Sequence, residues 1–281
     1  MKYTLAGCIA TMAGALSALA LCAPGHAQTP ATPPVREPLR IDAAGSLRGA
    51  LTELARAFEQ HALVSVTLNF GPSGLLKDRI EAGAPTQVFA SANMSHPQAL
   101  RQSGQAEVVQ AFARNALCVL AHGGFSLQGK SLALRLLDPD VRVGTSTPKA
   151  DPAGDYAFEM FERIEAFGAG GAGSAAALKA KALQLTGGPN SAQAPVGRNL
   201  YGLLLEQGQA DVFVTYCTGA TEAQRQVPTL KVLAVPDPIN VSAVYGMAII
   251  RPASEAAKAF LAFVLSPPGQ QMLRTHGFSA P

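Results

Sequence analysis

The chain has 281 residues, of which 48% are apolar and 15% charged, with a formal net charge of +3. Such a composition excludes a disordered chain, and the length suits one large or two modest domains. Lys and Arg are scattered, with no basic block, zinc-finger spacing or aromatic-basic stripe, so nucleic acid is not an expected partner.

The N-terminus comes first. Lys2 precedes an apolar, Ala-rich run from Tyr3 to Ala23, followed by Gly25, His26, Ala27 and Gln28. This pattern predicts a secretory signal over residues 1–27, cleaved after "GHA". A membrane anchor is the rival reading, but the run is barely long enough to span and ends in small residues. "LAGC" (Leu5 to Cys8) resembles a lipid-attachment site, although no apolar segment precedes it. The Pro- and Thr-rich residues 28–38 read as a flexible leader. The mature chain is therefore expected outside the cytoplasm, in the periplasm.

Loss of the signal removes Cys8 and Cys22 and leaves Cys118 and Cys217. An exported compartment permits a disulfide. Both residues also sit in apolar runs, "ALCVLA" and "VFVTYCTG", where small buried side chains fit equally. The reading taken here is two free, buried thiols. No metal-ligand or C-x-x-C spacing is present, so no metal cation and no cofactor are expected.

"LRIDAAG" is a short strand-like run leading into an i, i+3, i+4 helical stripe of Leu47, Ala50, Leu51, Leu54, Ala55 and Phe58. "LVSVTLNF" alternates Val64, Val66, Leu68 and Phe70, which is strand periodicity. Leu75, Leu76 and Ile80 start a second helix, stopped by Gly83 and Pro85, and "QVFASA" is again strand-like. The resulting β-α-β-α-β order predicts a parallel sheet covered by helices.

A second round follows. "ALCVLAH" and "VRVGTST" read as strands, Tyr156 to Ala166 as a helix, "ALQLTGG" as a strand, Asn199 to Glu206 as a helix and "ADVFVTY" as a strand. "SAVYGMAII" is a late strand before closing helical segments. The Gly/Ala tract from Phe167 to Ala182 reads as a corner running into a helix, with no G-x-G-x-x-G after a strand and no P-loop Lys. Two α/β units without an internal repeat imply two lobes.

In open α/β sheets, ligands sit where strands end and helices begin, and a helix start offers free N–H groups to an anion. Four junctions share that plan: "AAGSL" around Ser46, "GPSGL" around Ser73, "DPAGDYA" around Ala153 and "APVGRNL" around Arg198. Ser46 and Ser73 would each serve as an ordinary helix cap. Their repetition at like turns favours two arms of an anion clamp, because a hydroxyl that is not capping its helix is free to donate.

These segments also carry a family resemblance. "AAGSLRGALTELARAFE", "FGPSGLLKDRIEAGAPTQVFASAN", "DPAGDYA", "VTYCTGA" and the terminal "FVLSPPGQQMLRTHGF" resemble successive motifs of the molybdate-binding periplasmic proteins of ABC importers. The resemblance implies an α/β, two-lobed periplasmic-binding-protein fold, each lobe a mostly parallel sheet flanked by helices and joined by hinge strands. It implies lobe 1 from residues 39–118 plus 240–281, and lobe 2 from residues 119–239. It further implies a monomer that captures molybdate or tungstate between its lobes and delivers the anion to an ABC importer permease in the inner membrane.

Carried over residue by residue, the resemblance assigns the oxyanion to Ser46, Ser73, Ala153, Arg198 and Tyr216. Arg198 is a departure, since that position is usually small and apolar; it would lend either its side chain or only its N–H. Gln87 and Asn93 replace acids common in the family, and Pro72 stiffens the second Ser turn. Neutral donors at helix ends suit a fully deprotonated oxyanion, and cavity size would then have to exclude sulfate.

The alternative reading is a receptor for another oxyanion, such as sulfate or phosphate. An enzyme is not expected. No G-x-S-x-G elbow or H-E-x-x-H pair occurs, and His61, His96, His122 and His276 lie in polar or loop contexts where surface His is the default. Iron-binding relatives use neighbouring tyrosines, and no two are adjacent among Tyr156, Tyr201, Tyr216 and Tyr245. The ligand-sensing half of a transcription regulator shares the two-lobe plan but fits neither the signal nor the missing basic helix-turn-helix.

Overall fold

The computed structural model describes residues 37–281. The expected signal segment, Cys8 and most of the leader lie outside the described residues.

Strand β1 (Leu39–Ala44) passes through one 3-10 turn (Gly45–Leu47) into α1 (Arg48–Ala62). Strand β2 (Val66–Gly71) leads to α2 (Ser73–Glu81), and β3 (Val88–Ser91) to α3 (Ser95–Gln102). The long β4 (Ala106–Ala121) precedes α4 (Leu132–Leu137), β5 (Val143–Ser146), α5 (Pro152–Ala166), α6 (Ser174–Lys181) and β6 (Leu183–Thr186). Then come α7 (Leu200–Glu206), β7 (Val212–Tyr216), α8 (Cys217–Gln226), β8 (Lys231–Ala234), β9 (Ser242–Ile250), α9 (Glu255–Leu265) and α10 (Pro267–Thr275).

The predicted helical stripe is the buried face of α1: Ala50, Leu51, Leu54, Ala55 and Phe58 all point inward. Phe58 meets Phe260 of α9 edge-on at 5.2 Å, so the C-terminal helices complete the layer that α1 begins. Helix α1 stops where Leu63 turns left-handed, at φ 52°.

The sheet runs β2-β1-β3-β9-β4-β7-β5-β6, with β8 also paired to β4. Its two ends are parallel triplets: β1 pairs in parallel with β2 and β3, and β5 with β6 and β7. Between them lie β9 and β4, antiparallel to each other and to their outer neighbours. Strand β4 pairs with β9 from Ala106 to Ala116 and with β7 from Leu117 to Ala121. It therefore passes from one parallel triplet to the other.

Only the end of β4 was legible as "ALCVLA". Glu107, Gln110 and Arg114 interrupt the apolar run upstream, as expected of a strand that is only partly covered. Helices α3, α4 and α8 and strand β8 were also unread. The Gly/Ala tract does turn and then becomes helical, as expected, from Ser174.

One expectation is overturned. Cys118 and Cys217 are not free thiols; they form a disulfide, with Cα atoms 4.8 Å apart. The antiparallel register sets Cys118 opposite Thr215, and the chain turns into α8 at Cys217, two residues later. Two apolar runs that are remote in sequence thus meet side by side. The histidines also differ from a fully exposed set: His96, His122 and His276 are partly buried, and His276 contacts Glu53 at 2.8 Å.

Candidate functional site

Parallel strands β1, β2, β5 and β7 aim their C-terminal ends at helix starts, and four predicted residues lie at or next to these junctions. Ser46 occupies the turn after β1, with its Oγ 3.0 Å from the hydroxyl of Tyr245 on β9. That hydroxyl also accepts from Asn115 Nδ2 at 3.4 Å, and the same Nδ2 donates to Thr218 Oγ1 at 2.8 Å. The hydroxyl of Tyr245 thus ties the first Ser turn to the central strands and the start of α8.

Ser73 opens α2 and is 1% exposed. Its Oγ accepts the Ala92 N–H at 3.1 Å, which leaves its own proton free to donate. The next residue, Gly74, donates its N–H to the Ala150 carbonyl at 2.9 Å. A Cβ at position 74 would collide with the carbonyl oxygens of Lys149 and Ala150, so this approach of two backbones requires glycine.

Ala150 adjoins Asp151, the N-cap of α5. The Asp151 Oδ1 accepts the N–H of Ala153 at 3.1 Å, and Pro152 occupies the first helical turn where its missing N–H is harmless. Ala153 itself is fully buried.

Tyr216 ends β7 and is 2% exposed, and among the described residues its hydroxyl makes no hydrogen bond of ordinary length, the Tyr245 phenol lying beside it. Its ring lies 6.3 Å from Tyr156, in the second turn of α5, and 5.6 Å from Tyr245. Burial pushes the phenols of Tyr216 and Tyr245 well up, and those of Tyr156 and Tyr201 up to about 12. All four therefore remain protonated near neutrality and are available as O–H donors.

Four of the five predicted residues are thus joined by one run of contacts. The contacts run from Ser73 through Gly74, Ala150 and Asp151 to α5, then through Tyr156, Tyr216 and Tyr245 to Ser46. Arg198 stands apart from them. It is exposed, its guanidinium pairs with Glu206, and its N–H bonds the Pro195 carbonyl within a turn. Its neighbour Asn199 caps α7 and donates to the Gly219 carbonyl of α8, which fastens this junction to α8.

Tyr245, Asn115 and Asp151 were not singled out from the sequence. The Asp-Pro pair before a helix was a readable cap signal for Asp151. Nothing local marked Tyr245, whose Ser46 partner is 199 residues away. A surface cavity of about 540 Å³ lies near the start of β1, lined by Arg40, Gln87, Gln105 and Arg251, and none of the predicted residues lines it.

The profile of the bacterial extracellular solute-binding proteins matches residues 39–279. The chain belongs to this family.

An uncharacterized protein of Pasteurella multocida is 38% identical over 241 residues, covering 85% of this chain and 98% of the relative. The molybdate-binding protein ModA of Escherichia coli is 25% identical over 250 residues, covering 86% and 88%. Among solved structures, the periplasmic molybdate-binding protein of Azotobacter vinelandii aligns at TM-score 0.65 and 22% identity, covering 86% of this chain and 99% of its own. The sulfate-binding protein SubI of Mycobacterium tuberculosis aligns at TM-score 0.71 and 15% identity, covering 87% of each chain. The two-lobed binding-protein fold expected from the sequence is therefore the one observed.

Proposed function

We propose that this solute-binding protein captures a tetrahedral oxyanion, molybdate or tungstate, and delivers it to an ABC importer permease of the inner membrane. The observation that carries the reading is the Tyr216 hydroxyl. A buried hydroxyl without a partner costs about 1–3 kcal/mol, and an anion oxygen placed against it removes that cost. Ser73 has a free hydroxyl proton for the same anion, and Ser46 with Tyr245 supplies another donor. No charged side chain is required, because desolvation of the anion is offset by several oriented neutral donors.

Ser46, Ser73, Ala153 and Tyr216 form the ligand set in this reading. Arg198 would join it only by releasing Glu206 or by opening its turn. Lobe 1 comprises residues 39–118 with 240–281, and lobe 2 residues 119–239. The change of β4 partner between Ala116 and Leu117 supports a boundary there. Residues 1–27 act as the cleaved signal, residues 28–38 as the leader, and the receptor works in the periplasm as a monomer. Bound anion favours the closed form, which brings donors of both lobes together. No catalytic step is part of the reading.

Calorimetric titration of the anion-stripped mature protein with molybdate, tungstate and sulfate tests it. Tight binding of the first two, with sulfate silent, is the expected result. Binding of sulfate or phosphate alone would move the function to another oxyanion, and silence with all of them would overturn the reading.

A further inference from the structure

The oxyanion site contains an acceptor as well as donors. Asp151 places its carboxylate on the Ala153 N–H, one of the groups assigned to the anion. The side chain is enclosed: a Cβ added at Gly187 would lie 2.6 Å from both its Cβ and its Oδ2. Across from it stand the hydroxyl of Ser146 on β5 and the phenols of Tyr201 on α7 and Tyr216 on β7. The charged neighbour on its own helix is Asp155, which has the same sign and accepts the Lys149 N–H. Among the described residues no Lys or Arg side chain pairs with Asp151.

A carboxylate and an oxyanion cannot share one N–H without strong repulsion. Like charges brought together in a poorly hydrated site force one of them to take up a proton. Molybdate is fully deprotonated near neutrality, so the proton must go to Asp151. Resting on the oxyanion reading above, we propose that Asp151 ties capture to a proton: each dianion bound takes one proton from solvent onto the Asp151 carboxyl, which then donates to an anion oxygen instead of competing with it. Asp151 thereby sets which anions are favoured. A dianion without a proton is bound with proton uptake, whereas an oxyanion that already carries one would supply it directly to Asp151.

Burial already pushes the Asp151 carboxyl above its ordinary range in the empty protein, despite the Ala153 and Ser146 hydrogen bonds that oppose the shift. The sign follows by linkage. Below the pKa of the empty receptor, the carboxyl is protonated beforehand and affinity does not depend on pH. Above it, each pH unit weakens dianion binding by about tenfold until the carboxyl is ionised in the complex as well.

The test is calorimetric titration of the full mature chain with molybdate from about pH 6 to about pH 8, in two buffers of different ionisation enthalpy. Wild type should take up close to one proton per anion at the upper end and bind more weakly there. Asp151→Asn keeps the cap acceptor but carries no charge. It should bind with no proton uptake and with an affinity that does not change between the two ends. Wild-type binding with no proton uptake at any pH overturns the proposal while leaving the oxyanion reading intact. So does an Asp151→Asn protein that retains the wild-type pH dependence. Silence of both proteins with every oxyanion overturns that reading, and the proposal with it.

Discussion

Ser46 and Ser73 occupy the same kind of turn, a strand end passing into a helix, yet they are held in different ways. Ser46 is partly exposed and shares a contact with a tyrosine hydroxyl, in which either oxygen is able to donate. Ser73 is fully enclosed, and a backbone N–H fixes its oxygen as an acceptor, so its proton has one direction left to go. The adjoining Gly74 adds a backbone bond to the turn before α5. The first turn is thus an adjustable side-chain contact, whereas the second is a rigid backbone one. A serine at a helix start therefore says little about its role until its acceptor side is accounted for.

This contrast is open to direct attack. The largest effect is expected from Gly74→Ala, whose methyl group would force the 149–150 carbonyls away. Anion affinity should fall by at least about tenfold, with circular dichroism unchanged, because two backbones lose their approach. Ser73→Ala comes next. It strands the buried Ala92 N–H as well as removing a donor, and should lower unfolding stability by about 1–3 kcal/mol in chemical denaturation. Ser46→Ala should cost about 1 kcal/mol or less in the same assay, since the Tyr245 hydroxyl keeps Asn115. If Ser46→Ala proves the more damaging of the two, the comparison is inverted. Arg198→Ala should change affinity least, because its exposed pair with Glu206 contributes little; a loss beyond about tenfold would bring Arg198 into the site.

The sequence made the elements around Ser46, Ser73 and Tyr216 readable because each junction is local: a periodic apolar run, small residues, and then a new period. The stripe on α1 and the strand ending at Tyr216 followed directly. The group that assembles from them was less legible. Tyr245 looks like any aromatic residue in an apolar strand, and only the β9–β4 pairing beside β3 carries it to Ser46. The Cys118–Cys217 bond was hidden for the same reason, since it depends on the register of β4 against β7. At Arg198 the junction pattern did not reveal the local structure: the small residues there form a turn with Gly197 at φ 77°, docked on α8 through Asn199.

The central claim is that the Tyr216 hydroxyl is held ready for an anion, and one paired measurement addresses it. Tyr216→Phe and wild type are melted side by side, with and without molybdate. Removal of an unpartnered buried hydroxyl should leave the empty variant as stable as wild type or up to about 3 kcal/mol more stable. Molybdate should raise the wild-type Tm and shift the variant far less. Equal shifts in the two proteins, or a variant destabilised without ligand, would contradict the account.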